Sequence, residues 1–222
     1  MCFGPTALVS LVANHSSPAL DSDRRLGEAR ELIQLFRQGD NDDQVRRRCR
    51  GVDPELELFC GLLMHIAGGR GNARAFLDGA PHTRQKASAL WRWDELLAKN
   101  ADAAVDTLFP SGFAARYVDE MVKATISAGD VGLPRLLQLY EYADASYKEY
   151  IDDELLKLLV EHPKLFFTNW DRIRPYRGTL RHLVEDDEAP SQLRADFERL
   201  CKGSTTTRRC EEIRDLWPRR AE

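Results

Sequence analysis

LLKLLVEHPKLFFTNW, residues 155–170, contains one amphipathic helix, a break and the start of a second helix. Leu155 and Leu158 fall on one helical stripe, because side chains three or four positions apart share a helix face. Pro163 has no amide hydrogen and disfavours helical geometry in the residue before it, but it fits well at the first position of a new helix. The pattern therefore predicts two helices that meet at a corner formed by His162 and Pro163.

A similar pattern occurs 62 residues earlier in the chain. Residues 96–108, LLAKNADAAVDTL, align with residues 158–170, LLVEHPKLFFTNW, and both segments have a pair of leucines before the corner. Asn100 occupies the corner position that His162 occupies in the second segment. A helical hairpin cannot bury its apolar face alone, so a repeated hairpin predicts stacking on neighbouring hairpins. The alternative is a chance similarity between two amphipathic helices.

The rest of the chain shows the same helical periodicity, and no run has the strict alternation of a half-buried strand. Helices of ordinary length with short connections predict an all-α fold. We expect antiparallel helical hairpins stacked as a short α–α superhelix, or an irregular helical bundle, in a single domain that spans residues 20–222. Besides the two segments above, helices are predicted at residues 22–38, 54–67, 84–99, 103–109, 112–127, 133–143, 191–202 and 206–216.

This arrangement resembles, in style, the armadillo and HEAT class of α-solenoids. The resemblance rests on the match between residues 96–108 and 158–170 and on a helix rhythm of roughly 20 residues, and it covers about half of the chain. It implies a HEAT-like array of stacked hairpins. The sequence contains no diagnostic motif of that class, so the resemblance assigns no functional residue.

The composition is typical of a globular protein with a hydrophobic core. The 222 residues are 43% hydrophobic and 31% charged, with a formal net charge of −4. A net negative charge argues against nucleic acid as the main partner, because nucleic-acid-binding proteins usually present a basic face. Arginine greatly exceeds lysine, 25 to 7, which we interpret first as codon bias. No run of apolar residues is long enough to span a membrane in the mature chain.

The N-terminal segment has part of the pattern of a bacterial signal peptide. Residues 3–20 carry no charge, residues 6–13 form a short apolar core, and residues 17–19 are the small residues that a signal peptidase prefers, but the positively charged leader is missing. We therefore expect residues 1–19 to be a cleaved leader, with the mature protein periplasmic or secreted. The alternative is a disordered tail on a cytoplasmic protein.

The cysteines support export. Without Cys2, which would leave with the leader, four cysteines remain in two close pairs, Cys49 with Cys60 and Cys201 with Cys210. Each pair brackets a turn between helices, and a bond within each pair would close a loop of about ten residues. Four cysteines allow three connectivities, among which the sequence does not choose. The alternative is four reduced, buried cysteines in a cytosolic protein.

The sequence has no signature of a metal or cofactor site. It lacks the HxxxH, CxxC and HExxH patterns, so we expect no cofactor. Cys60 and His65 lie about 140° apart around one helix, so they cannot form a nucleophile–base pair through that helix alone. The glycine-rich residues 68–73 do not follow a strand and are interpreted as a helix-ending turn, not a phosphate-binding loop.

Clustered charges offer weaker signals. Asp152, Asp153, Glu154 and the acidic run at residues 185–188 could supply paired carboxylates for an all-α hydrolase, which is the alternative function. Acidic residues are, however, also favoured at helix starts by the helix dipole. The basic RRRCR segment, residues 46–50, could contact phosphate or acidic partners. We interpret it as a solvated turn.

Aromatic residues give the leading functional hypothesis. Residues 139–150, LYEYADASYKEY, place Tyr140, Tyr142, Tyr147 and Tyr150 around a helix junction. Tyrosine is common both in cores and in interfaces, and the first two are about 200° apart on one helix, so some must point outward. We therefore predict a non-enzymatic, helical-repeat-like protein that binds a protein partner through these tyrosines. The alternative is that they pack in the core.

Overall fold

The computed structural model describes residues 18–38, 42–50, 52, 54–185, 191–203 and 207–217. Residues 1–17 of the predicted leader therefore lie outside the described residues. The described residues are almost entirely helical and contain no strand, which confirms the all-α prediction. The α-helices are α1 (Pro18–Arg37), α2 (Asp42–Arg48), α3 (Pro54–Gly68), α4 (Ala73–Gly79), α5 (Arg84–Lys99), α6 (Ala103–Leu108), α7 (Phe113–Ser127), α8 (Gly129–Tyr142), α9 (Ala145–Glu161), α10 (Pro163–Thr168), α11 (Trp170–Ile173), α12 (Arg177–Glu185), α13 (Ser191–Lys202) and α14 (Thr207–Arg214), and 3-10 turns cover Gly69–Asn72 and Arg174–Tyr176.

The corner predicted at Pro163 is present. α9 ends at Glu161 and α10 begins at Pro163, while the amide of His162 still donates to the carbonyl oxygen of Leu158 at 2.9 Å. The segment at residues 96–108 likewise turns between α5 and α6, so both members of the proposed repeat have the same helix–corner–helix form. HEAT-like stacking of these segments is not established by the packing and stays a prediction.

The predicted start of α8 is wrong, and the reason is a contact from a distant helix. α8 begins at Gly129 instead of residue 133 and contains Pro134. Proline has no amide hydrogen to donate to the carbonyl four residues before it, which here is that of Asp130. Arg172 of α11 donates its Nη1 to the Asp130 carbonyl oxygen at 3.1 Å. This side chain replaces the missing backbone donor, so the helix extends through the proline.

α7 lies at the centre of the packing and contacts α3, α4, α5, α8 and α9. An aromatic cluster joins it to its neighbours: Phe113 of α7 stacks on Phe59 of α3 at 5.3 Å between ring centroids, and Phe109 and Trp93 also contact Phe59. Each such ring, when fully buried, stabilises the fold by about 1.5–3 kcal/mol. The wholly buried Tyr117 continues the cluster towards α4.

The approach of α7 to α8 is close enough to require glycine. A Cβ atom on Gly132 would lie 2.1 Å from Oγ1 and 2.8 Å from Cα of Thr125. The Thr125 hydroxyl cannot turn away without loss, because it donates to the Met121 carbonyl oxygen at 2.7 Å in a fully buried position. The two helices therefore pack at a distance that only a residue without a side chain permits.

Gly132→Ala should destabilise the protein by about 2 kcal/mol, since the added methyl group must push α7 and α8 apart. Gly61→Ala is the matched control, because Gly61 is also inside a helix but has open space where a Cβ would lie. It should be neutral or stabilise by about 0.5–1 kcal/mol through helix propensity. Urea unfolding of both variants measures the difference, and equal effects would contradict the close-approach argument.

Candidate functional site

The four tyrosines predicted as a binding surface lie on α8 and α9, and their rings contribute to the core. Tyr140 is buried, and Tyr142, Tyr147 and Tyr150 are partly buried against the hydrophobic core. The ring of Tyr140 faces the ammonium group of Lys148 at 5.4 Å. The Tyr142 hydroxyl oxygen accepts from Gln138 at 3.4 Å.

Two of the tyrosines bind carboxylates from neighbouring helices. The Tyr147 hydroxyl donates to Asp94 Oδ2 at 2.8 Å, and the Tyr150 hydroxyl donates to Asp119 Oδ1 at 2.5 Å. Burial, together with these hydrogen bonds, raises the pKa of both phenols well above its usual value. The Tyr147 ring also stacks on Trp91 with centroids 4.1 Å apart. These contacts fasten α9 to α5 and α7. These contacts do not test whether the four tyrosines bind a partner, and that binding stays a prediction.

Asp94 joins three helices through one carboxylate. Its Oδ1 accepts the backbone amide of Ala114 at 2.8 Å, at the start of α7. The N-cap position of that helix is Gly112, which has no side chain to cap the helix and has a φ of +92°. The other oxygen, Oδ2, accepts from the Tyr147 hydroxyl, so the Asp94 side chain of α5 both caps α7 and binds α9.

The carboxylates predicted as a catalytic pair lie on α9 and at the end of α12. Burial is the larger cause that raises the pKa of the Tyr140 phenol, and the Asp152 carboxylate raises it further. Asp152 Oδ2 lies 3.7 Å from His182 Nε2. Glu185 ends α12, and residues 186–188 of the acidic run lie outside the described residues. Within the described ranges, no group of three or more His, Cys, Asp or Glu side chains is arranged to hold a metal ion.

The predicted cysteine pairs are confirmed. Cys49 is bonded to Cys60 with 5.7 Å between Cα atoms, and Cys201 is bonded to Cys210 with 5.5 Å between Cα atoms. Both distances are within the range that a disulfide requires. The first bond links the end of α2 to α3, and the second links α13 to α14.

His65 forms a buried polar contact that sequence reasoning did not identify. It is 6% exposed, its ring stacks on Phe76 at 4.4 Å, and its Nε2 lies 3.5 Å from Oε2 of the buried Glu120. Lys123 and Arg116 also contact this carboxylate, at 2.8 and 3.1 Å. Burial lowers the pKa of His65, and this effect exceeds the opposing attraction of Glu120.

The most distinctive site is a cleft of about 580 Å³ that opens between α12 and α14. Four arginines line it together with an apolar surface and two carboxylates. We call it the arginine cleft; its lining residues are Trp170, Arg174, Pro175, Arg177, Gly178, Arg181, Arg208, Glu212, Asp215 and Leu216.

Part of the charge in the arginine cleft is already compensated. Glu212 accepts the indole N–H of Trp170 at 2.7 Å and the Nε–H of Arg208 at 2.9 Å, and these two hydrogen bonds lower its pKa. Arg181 donates to the backbone carbonyl of Asp215 at 2.8 Å. These contacts fix the positions of both walls.

The other two arginines keep their hydrogen-bonding capacity. Arg174 and Arg177 are exposed, and neither side chain makes a hydrogen bond or ion pair with any described residue. A guanidinium group carries five N–H donors and binds carboxylate or phosphate groups in a bidentate geometry. The arginine cleft can therefore hold an anionic group against an apolar floor.

The arginine cleft is not among the sites predicted from the sequence, although the sequence contains a signal for it. Arg177 and Arg181 are four residues apart, so they share one face of α12, and Arg174 precedes them by one turn. The excess of arginine was interpreted as codon bias, and this spacing would have argued for a local function instead. The contribution of Arg208 from α14 had no sequence signal.

Comparison with known proteins assigns no role to these residues. No family model matches the chain, and no curated protein or solved structure is significantly similar to it.

Asp94→Ala should destabilise the protein by about 2–3 kcal/mol, because it leaves the amide of Ala114 and the hydroxyl of Tyr147 without acceptors. Tyr147→Phe removes only the hydroxyl and should cost about 1 kcal/mol. The double variant should lose less than the sum, with a coupling energy of about 1 kcal/mol in a urea double-mutant cycle. Strictly additive losses would show that the two side chains act independently.

Acidification should destabilise the protein through His65. Because its pKa in the folded state is lowered, the unfolded chain takes up this proton first as the pH falls below about 6.5, so the unfolding free energy decreases there. His65→Phe should remove this part of the pH dependence. Urea unfolding at pH 7.5 and 5.5 tests this, and an equal loss of stability in wild type and variant would contradict it.

Proposed function

We propose that this protein is a non-enzymatic binding protein that holds an acidic segment of a protein partner in the arginine cleft. The observation that carries the proposal is a pair of guanidinium groups, those of Arg174 and Arg177, that make no hydrogen bond or ion pair with the described residues and lie beside an apolar floor. Fully compensated arginines would already have satisfied their donors within the protein. These two gain strong hydrogen bonds only when an external acceptor arrives.

The charge of the arginine cleft favours an acidic ligand. Four arginines line it against two carboxylates, Glu212 and Asp215, and Glu212 is held by Arg208 and Trp170. The local charge is thus opposite in sign to the net charge of the whole chain, which is −4. Such a site attracts an acidic segment without making the rest of the surface attractive to it.

The dimensions of the arginine cleft suit a short peptide segment. Its volume of about 580 Å³ lies within the range of small-ligand pockets, about 300–1,000 Å³, and accommodates only a few residues. Pro175 and Leu216 provide apolar contacts beside the arginines. We therefore expect the partner segment to combine carboxylate side chains with at least one apolar side chain. An extended nucleic acid would need a longer basic surface.

Export from the cytosol is part of the proposal. Disulfides persist in oxidising compartments and are rare in the cytosol, and both cysteine pairs are bonded. None of the helices in the described part of the chain has the length and apolar composition that a membrane span needs. The all-α hydrolase stays an untested alternative.

Charge reversal tests the proposed function. Arg174→Glu and Arg177→Glu should each weaken binding of a labelled peptide of alternating Glu and Leu by about tenfold, because each removes a donor group and adds repulsion. Arg84→Glu is the matched control, since Arg84 is also exposed and its side chain makes no hydrogen bond or ion pair with described residues. Fluorescence anisotropy measures the affinity, which should also fall with added salt.

A Gln–Leu peptide of the same length should not bind, because it has no charge for the arginines to pair with. Equal affinity of the control and the two cleft variants would contradict the proposal. Binding of a single-stranded oligonucleotide at the affinity of the acidic peptide would also contradict it, since it would show a general affinity for anions.

A further inference from the structure

The two disulfides differ in their access to solvent. Cys49 is partly exposed, while its partner Cys60 is 2% exposed. In the other pair both residues are buried, with Cys201 8% and Cys210 4% exposed. A thiolate in solution must reach a disulfide sulfur to attack it, so the greater exposure of Cys49 favours attack on the first bond.

The surroundings of Cys49 are strongly basic. Arg46, Arg47, Arg48 and Arg50 lie within three residues of it and all are exposed. Arg47 donates to the carbonyl oxygen of Asp43 in its own helix, and Arg48 forms an ion pair with Glu31 of α1. The side chains of Arg46 and Arg50 make no hydrogen bond or ion pair with the described residues. Positive charge beside a disulfide attracts an incoming thiolate and stabilises the thiolates formed when the bond opens.

A small pocket is lined in part by residues that neighbour the two cysteines in the chain. Its volume is about 220 Å³ and its lining combines basic side chains with an apolar wall. Arg48 and Arg50 are the chain neighbours of Cys49, and Leu56 is one helical turn before Cys60. The pocket is lined by Arg24, Glu28, Leu32, Arg48, Arg50, Val52 and Leu56.

We propose that the Cys49–Cys60 disulfide is an exchange site for a small anionic thiol, which docks in this pocket with its carboxylates towards the arginines. The inference is independent of the arginine cleft and goes beyond the proposed function. It also assigns a functional role to the RRRCR segment, residues 46–50, which the interpretation as a solvated turn leaves without one. The second disulfide is then a structural cross-link.

The exchange proceeds in two balanced steps. The thiolate of the small thiol attacks Sγ of Cys49, a mixed disulfide forms, the Cys49–Cys60 bond breaks, and the electron pair leaves on Cys60 Sγ, which takes a proton from solvent. A second small thiolate attacks the small-thiol sulfur of the mixed disulfide. Cys49 leaves as a thiolate beside the arginines, and the two small thiols are oxidised to their disulfide.

Exchange with glutathione, which carries two carboxylates, tests this proposal, with neutral 2-mercaptoethanol as the comparison thiol. The native protein is incubated with each thiol, quenched with an alkylating reagent and analysed by mass spectrometry without reduction. Glutathione should open Cys49–Cys60 at least about tenfold faster than Cys201–Cys210, through an adduct on Cys49. Circular dichroism should show that the helices persist during the reaction.

The variants Arg48→Gln and Arg50→Gln, each of which removes a guanidinium group that lines the pocket, should each slow the reaction of glutathione severalfold and leave the rate with 2-mercaptoethanol unchanged. Arg84→Gln is the control and should change neither rate. Opening of both disulfides at the same rate would overturn the proposal. An adduct on Cys60, or an equal effect of the arginine variants on both thiols, would overturn it as well.

Discussion

The packing of α7 against five other helices sets the positions of the rest of the structure. Its core side is continuous, from Phe113 through Tyr117 to Met121, so α7 cannot shift without exposing large side chains. The contact with α8 at Gly132 leaves no space for a Cβ, and the Asp94 carboxylate fixes the first turn. α8 and α9, located in this way, provide the surface on which α10, α11 and α12 pack.

Charged groups are used differently in the centre and at the C-terminal end. Near α7 the carboxylates of Asp94 and Asp119 accept hydrogen bonds from groups on neighbouring helices, and the Glu120 carboxylate pairs with Lys123 and Arg116 of its own helix. Of the arginines that line the cleft, two are exposed and keep donors that the described residues do not use. A protein can leave such donors unpaired only in contact with water, and there they are available to a ligand.

The sequence predicted the features that depend on neighbouring residues. The corner at Pro163 and the bounds of α5 follow from local chemistry, and the spacing of the cysteines favours the two observed bonds without choosing among the three connectivities. The start of α8 does not, because it depends on Arg172, which is 42 residues from the carbonyl that it satisfies. The placement of Tyr147 likewise depends on a carboxylate 53 residues away. A local pattern of residue types contains no information about which distant side chain will contact a given residue in the folded protein.

The arginine cleft itself depends on tertiary contacts more than on helix propensity. α14, which supplies Arg208 and Glu212, has eight residues and would not be stable as an isolated helix. It is held by the bond between Cys201 and Cys210, by the burial of Ile213 and by a bidentate pair between Arg214 and a glutamate of α13. The disulfide closes a short loop between α13 and α14 and so reduces the conformational entropy of this segment in the unfolded chain. The wall of the cleft therefore derives its rigidity from a cross-link that lies outside the cleft.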